Sequence, residues 1–339
     1  MKNKHLLIIR FSALGDVLML VPVVDALAKR YPEVKITVVS RPKVESVFRL
    51  LPENVSFVGL EPRRYPGVLG LWHLWRKFMK LKPTHVADVH DVLRTKILRF
   101  YFRWSDVKMA VIDKERDKRR AFIEAKVKTQ QKTPFERYAE VFRQLGFPVE
   151  IDPSKPMNGD LVRSLPHIPL PLISASCLRI GIAPFAAHKN KIYPVEKMEE
   201  VVKALCKHGH HIFLFGAGGK EKAVLAKWTK LYTGAQSVVS TQPDLAHELK
   251  LMSQLDLILT MDSGNMHLAA LCGVPVVSIW GATHPLGGFL GWGCKKERII
   301  QCDMDCRPCS TYGKRPCKRG DLACMNNIDP KTVLNHLKL

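Results

Sequence analysis

With 46% of its 339 residues hydrophobic, the chain exceeds what one ordinary core holds and suits two α/β domains of comparable size with a cleft between them. Its 53 basic residues against 31 acidic ones give a net charge of +22, a field that draws phosphate-rich partners such as nucleic acid, anionic lipid or an acidic glycan. Arg10, Asp16, Pro22 and the prolines near 170 break every apolar run before the roughly 18 residues that span a bilayer, which excludes a membrane-crossing chain.

Met1-Lys2-Asn3-Lys4 begins like a signal n-region, but the apolar stretch 6–9 is too short and no small-residue cleavage site follows. Residues 5–11 therefore read as a first strand and the protein as cytoplasmic. Strand and helix then alternate: helix 15–31, strand 35–40, helix 43–51, strand 55–60, helix 66–81, strand 84–90, helix 91–104, strand 107–113. A later helix, 134–145, is capped by Thr133. Such alternation makes a parallel sheet covered on both faces. Prolines and polar residues fill 151–171, an interdomain linker. A second series follows: strand 178–184, helix 195–207, strand 210–215, helix 220–231, strand 237–240, helix 245–254, strand 257–261, helix 264–271 and strand 274–280. The fold class is α/β, the same architecture twice, with ligand loops expected at the carboxyl ends of strands.

Three such loops carry unusual residues. In Phe11-Ser12-Ala13-Leu14-Gly15-Asp16-Val17, Gly15 permits a tight turn and Asp16 lies in the helix's opening turn. Two roles fit Asp16: a first-turn carboxylate that stabilises the helix by about 0.5–2 kcal/mol, or a general base taking the proton of an acceptor hydroxyl that attacks a sugar's anomeric carbon. In Thr260-Met261-Asp262-Ser263-Gly264-Asn265-Met266-His267, Ser263 and Gly264 put free backbone N–H groups at a helix start, suited to a diphosphate, with His267 one turn in. Asp262 or Ser263 as a simple cap and His267 as buried structure is the alternative. In Ala187-His188-Lys189-Asn190-Lys191-Ile192-Tyr193-Pro194, a lysine can neutralise a leaving diphosphate, or only solvate a surface.

Gly216-Ala217-Gly218-Gly219 lacks the third glycine of a dinucleotide loop, Glu221 standing there, and no acidic residue follows about 20 residues on. It reads as a turn at the nucleotide end of the cleft, where Gly216 joins Ser12 and Gly15 as cleft-loop residues. Cys302, Cys306, Cys309, Cys317 and Cys324 crowd one tail with a single C-x2-C pair, read as reduced thiols in a loop-rich cap; no metal is expected. Up to residue 165 the chain has 32 basic and 18 acidic residues, so the first half is the anion-facing one. The stretch 99–143 holds 13 basic and 7 acidic residues around Lys118-Arg119-Arg120. Beside Arg63 and Arg64 it reads either as a solvated face or as a clamp for an acceptor's phosphates and carboxylates.

These motifs in this order resemble the ADP-heptose:lipopolysaccharide heptosyltransferases, glycosyltransferase family nine, over nearly the whole chain. The resemblance rests on Ile8-Ile9-Arg10-Phe11-Ser12-Ala13-Leu14-Gly15-Asp16-Val17, on Asp262-Ser263-Gly264-Asn265-Met266-His267-Leu268-Ala269-Ala270, and on the run from Gly273 through Trp280-Gly281. It implies the GT-B fold: two Rossmann-like parallel-sheet domains facing across a cleft. An acceptor domain would occupy 1–165 and a nucleotide-sugar donor domain 166–325. A C-terminal helix, 326–339, would pack back on the first domain. It implies inverting displacement without metal or cofactor, the ADP-sugar being a substrate: Asp16 as base, and Lys191, Asp262, Ser263, Gly264 and His267 at the donor diphosphate. The acceptor would be an anionic glycolipid, met by Arg63, Arg64, Arg119 and Arg120 at the cytoplasmic face of the inner membrane. Where the family carries its nucleoside-binding acid, this chain has Gly218, with Glu221 close by.

A basic nucleic-acid-binding protein is the remote alternative; it needs a groove helix, an aromatic platform or a zinc module, and none is evident. The run Arg99-Phe100-Tyr101-Phe102-Arg103-Trp104 fits an amphipathic helix on the inner membrane at least as well, so no nucleic-acid partner is expected.

Overall fold

A computed structural model describes residues 4–125, 127–157, 160–238 and 244–337. The chain forms two compact units, one of residues 1–115 and 132–153, the other of 116–131 and 154–339. The stretch 116–131, read from sequence as part of the first half, therefore belongs with the second unit. There Phe122 is buried and meets the His284 ring edge-on at 6.1 Å.

In the first unit β1 (His5–Ile9), β2 (Lys35–Ser40), β3 (Val55–Gly59), β4 (His85–Asp88) and β5 (Lys108–Val111) form one parallel sheet in the order β3-β2-β1-β4-β5. The strand order reverses between β1 and β4, and Ile9 pairs in register with Asp88. The loops that leave these two strands therefore emerge side by side, at the switch point where open α/β sheets bind ligands. Leu7, Ile9 and Val86 bury one face of the sheet against Leu71, Leu74 and Phe78 of helix Gly67–Met79 and Leu98 and Phe102 of helix Leu93–Phe102.

The second unit has six parallel strands: β6 (Arg179–Ala183), β7 (His211–Leu214), β8 (Ala235–Ser237), β9 (Leu257–Met261), β10 (Val276–Trp280) and β11 (Ile299–Gln301), ordered β11-β10-β9-β6-β7-β8. Here the switch point lies between β6 and β9. Ala183 pairs with Thr260 and Met261 with Ile279, so three loops leave the sheet together.

Most elements fall where the hydrophobic period placed them. The strand expected at 237–240 is displaced to Ala235–Ser237 by its pairing with β7, and residues 239 and 240 lie outside the described ones, as do residues 1–3 of the expected n-region. The C-terminal helix, Pro330–Leu337, packs on the second unit. Its Val333 and Leu337 enter the core beside helix Val195–Lys207, and the Tyr193 hydroxyl donates to the Ile328 carbonyl at 2.9 Å just before it. Among the described residues no helix is long and apolar enough to cross a membrane.

Candidate active site

In the first unit the chain turns out of β1 through Arg10, Phe11, Ser12 and Ala13 into helix Leu14–Arg30, which places Asp16 in the opening turn. Asp16 Oδ2 accepts from the Ala13 backbone N–H at 3.3 Å, the contact expected of a first-turn carboxylate. The same oxygen lies 3.0 Å from Arg10 Nη2, and both side chains are largely shielded. Arg10 is held in turn by the Val89 carbonyl and by the Tyr138 ring 5.5 Å away, while the Tyr138 hydroxyl donates to the Asp16 carbonyl at 2.9 Å. The loop after β4 adds His90, whose Nε2 is 3.3 Å from the Ser12 hydroxyl. Burial, and then the Arg10 guanidinium, push the His90 imidazole down to about 3, so it is neutral near pH 7.

Beside this cluster lies a cavity of about 500 Å³ that Ser12, His90, Arg41 and Arg94 line together with Val68, Leu93 and Ile97. Arg63 and Arg64 are exposed on the turn Pro62–Arg64 of the same unit. Arg119 and Arg120 sit on helix Arg116–Glu124 of the second unit; Arg120 is exposed, and Arg119 donates to the Tyr312 hydroxyl at 2.6 Å and covers the Phe289 ring at 5.3 Å. The four arginines expected at an acceptor are thus divided between the units.

The second unit builds its own cluster. The loop after β6 turns at Lys189–Lys191 and is tied to the loop after β10 by Ala282 N–H donating to the Asn190 carbonyl at 3.2 Å. From there the Lys191 ammonium reaches Asp262 Oδ2 at 2.7 Å, and the Thr283 hydroxyl donates to the same oxygen at 2.7 Å. Gly313 packs on Lys191 so closely that a Cβ there would stand 2.6 Å from its Cγ. Ser263 caps helix Gly264–Leu271, its hydroxyl accepting from Asn265 N–H at 3.3 Å. His267 is buried one turn in. Gly216 follows β7 in a loop closed by the Glu221 carboxylate, which accepts from Ala217 N–H at 2.6 Å; a Cβ on Gly216 would meet Leu225 at 2.9 Å.

Sequence reasoning gave no role to Arg10, His90, Thr283 or Arg307. Arg10 and Thr283 lie within or just beyond the quoted motifs, but which partner each takes depends on strand register. Arg307 is buried and donates to the carbonyls of Gly281 and Cys302 at 2.5 Å and Thr283 at 3.0 Å, fastening the cysteine-rich tail over the end of β10. The five tail cysteines are free thiols. Burial raises Cys324 to about 11 and also raises Cys309, whereas backbone N–H groups, first that of Leu322, lower Cys317. Among the described residues no group of three His, Cys, Asp or Glu is placed to hold a metal ion.

A carboxylate at one switch point, and an ammonium beside an open helix start at the other, are what a sugar transferase with a diphosphate leaving group requires. The family model for glycosyltransferase family 9 (heptosyltransferase) matches residues 85–318. The chain belongs to this family.

Lipopolysaccharide core heptosyltransferase OpsX of Haemophilus influenzae is 22% identical over 288 residues, 84% of this chain and 80% of that one. Lipooligosaccharide heptosyltransferase 2 of Campylobacter jejuni is 27% identical over 135 residues, 38% and 40% of the two chains. Among solved structures, Escherichia coli heptosyltransferase WaaC with ADP superposes with a TM-score of 0.67 at 15% identity, covering 98% of this chain and 99% of that one. Escherichia coli ADP-heptose lps heptosyltransferase II gives 0.66 at 18% identity, covering 100% and 98%. The two parallel-sheet units are those of the GT-B fold, and this member of the family is a glycosyltransferase.

Proposed function

We propose that this glycosyltransferase moves a heptose from ADP-heptose to an inner-core sugar of lipopolysaccharide, with inversion and without a metal. The acceptor hydroxyl oxygen attacks the anomeric carbon, and Asp16 takes its proton. The bond from that carbon to the diphosphate oxygen breaks, and ADP leaves with the electron pair. Lys191, together with the backbone N–H groups that Ser263 and Gly264 present at the start of helix Gly264–Leu271, neutralises the departing diphosphate. Thr283 and Asp262 hold Lys191 for that task, and His267, buried one turn into the helix, is a further candidate at the diphosphate.

The observation that carries this reading is the Lys191–Asp262–Thr283 cluster beside an open helix start, in a chain of this family. That one solved relative is described with ADP, and another as an ADP-heptose enzyme, supports adenine as the base of the donor. The names of the curated relatives support a lipopolysaccharide core acceptor. Exposed Arg63 and Arg64 suit its anionic groups, with Arg119 and Arg120 as further candidates; the enzyme works at the cytoplasmic face of the inner membrane.

Thermal unfolding with ADP, UDP and GDP tests the donor, since a ligand at 100 times its Kd adds about 2.7 kcal/mol to stability. ADP alone should stabilise, and Lys191→Ala should reduce the effect. Stabilisation by UDP or GDP in its place would end the ADP-heptose assignment.

A further inference from the structure

Helix Leu93–Phe102 and the turn after it have two apolar faces. Thr95, Leu98 and Phe102 face the core of the first unit and are buried. Leu93, Ile97, Phe100 and Trp104, spaced four, three and four apart, form a second stripe. Leu93 is 76% exposed, Phe100 54% and Trp104 79%. A helix that packs on one side only ordinarily carries polar residues on the other.

The neighbouring helix, Gly67–Met79, extends the stripe with Val68 at 62% and Leu69 at 68% exposure. The Tyr101 hydroxyl donates to the Val68 carbonyl at 3.1 Å, and the Tyr101 and Trp75 rings meet at 6.1 Å, so the two helices are fixed to each other. Val68, Leu93 and Ile97 also line the 500 Å³ cavity that reaches Ser12 and His90. The apolar surface is therefore the rim of that cavity.

The charge around the rim is predominantly positive, with Glu61, Asp91 and Asp106 as the acidic residues at its edges. Between Glu61 and Asp88, and again between Asp91 and Asp106, the sequence has ten basic residues and no acidic one. Lys96 and Arg103 are exposed on the helix that bears the stripe, Arg76 and Lys77 on its neighbour, and Arg63 and Arg64 just before. Exposed aromatic and aliphatic side chains ringed by cations match the interface of an anionic bilayer, where the rings sit at headgroup level and the cations meet lipid phosphates.

We propose that this face docks on an anionic membrane, so that the cavity opens toward the bilayer and receives its acceptor from the membrane plane. The proposal rests on the lipid-linked acceptor of the preceding reading and adds the surface that presents it. Leu69, Phe100 and Trp104 enter the interfacial layer, while Arg41 and Arg94 inside the cavity meet the anionic sugar.

The test is sedimentation of the full-length protein with vesicles of phosphatidylethanolamine and phosphatidylglycerol, or of phosphatidylcholine alone, at about 0.1 M salt. The expected result is partitioning onto the phosphatidylglycerol vesicles that falls about tenfold or more in Leu69→Ser/Phe100→Ser/Trp104→Ser, with melting and ADP stabilisation unchanged. Brominated lipids should quench the wild-type tryptophan emission, and Trp104→Phe, which keeps the apolar bulk, should bind while losing most of that quenching. A triple variant that binds as the wild type does, a wild type left unquenched, or a stripe covered by a second copy in sedimentation velocity would each overturn the proposal. Vesicle binding requires no nucleotide and ADP stabilisation requires no lipid, so failure of the docking face and failure of the transferase assignment are separately visible.

Discussion

The Lys191 ammonium and the Asp262 carboxylate, brought together from the loops after β6 and β9, stand 2.7 Å apart with Asp262 almost wholly buried. Two parallel strands in register, Ala183 beside Thr260, put the start of both loops at one level. The turn at Lys189–Lys191 then carries the lysine across.

Lys191→Met removes the cation and leaves a buried carboxylate with Thr283 as its remaining side-chain partner. Breaking a buried pair costs about 3–5 kcal/mol; partial exposure of Lys191 places the expected loss near the lower end. Asp262→Asn in the same background should recover most of it, because the unpaired charge is gone. Urea unfolding of the two single variants and the double variant measures the coupling. A double variant no more stable than Lys191→Met would show that the pair does not hold these loops.

Asp16→Asn keeps the size of the side chain and removes its ability to take a proton. The expected fall in kcat is about 10²- to 10⁴-fold, the usual share of a positioned general base. Stabilisation by ADP should be unchanged, because the residues proposed to hold the diphosphate belong to the other unit. An equal loss of nucleotide stabilisation would make Asp16 a structural anchor rather than the base.

How far these clusters could be read from sequence depends on what fixes each residue. Strands of the first unit follow from short apolar runs, and helix Pro134–Gln144 from its Thr133 cap, to which the structure adds a reciprocal hydrogen bond from the Thr133 backbone N–H to the Glu136 carboxylate. Helix Arg116–Glu124 was lost in a basic run: it is polar except for a few positions, and Phe122 settles its place by packing beside His284, a contact distant in sequence. Asp16, Lys191, Asp262 and Ser263 were visible because they stand in strand-to-helix turns. Their partners were not, since Arg10 faces Asp16, and Thr283 faces Asp262, only once the strands are in register. The exposed stripe of helix Leu93–Phe102 was legible as an aromatic run, but which of its rings are buried is set by helix Gly67–Met79.

His90 supplies a pH dependence of stability. Its folded value of about 3, set first by burial and then by Arg10, lies below the ordinary histidine value near 6.5. Above pH 6.5 it is neutral in both states and contributes no slope. As the pH falls from 6.5 toward 3 the unfolded chain takes up a proton that the folded one refuses, so stability declines by about 1.4 kcal/mol per pH unit. At pH 5 this amounts to about 2 kcal/mol relative to pH 7. His284, also pushed down by burial, to about 4, acts in the same direction. His90→Gln should reduce the loss between pH 7 and pH 5, measured by urea unfolding, while His284 continues to contribute. An unchanged difference would mean that His90 takes up its proton in the folded state.

Arg307 is the pin of the cysteine-rich tail, with donors spent on the carbonyls of Gly281, Cys302 and Thr283 and on the Gln301 side chain at 3.0 Å. A lysine cannot replace this planar fork, which reaches the loop after β10 and the end of β11 at once. Both Arg307→Lys and Arg307→Ala should therefore lose about 2–4 kcal/mol, the cost of leaving several buried acceptors unpaired. The effect should travel: Thr283, whose carbonyl Arg307 holds, donates to Asp262, and Gly313 of the same tail packs on Lys191. Stabilisation by ADP should fall in both variants although Arg307 lies outside the proposed diphosphate contacts. Hydrogen exchange of the 302–322 backbone locates the change: faster exchange there, with β6 and β9 still protected, is the expected pattern. Exchange that accelerates across the whole second unit would mean that Arg307 supports the core of the unit rather than its tail.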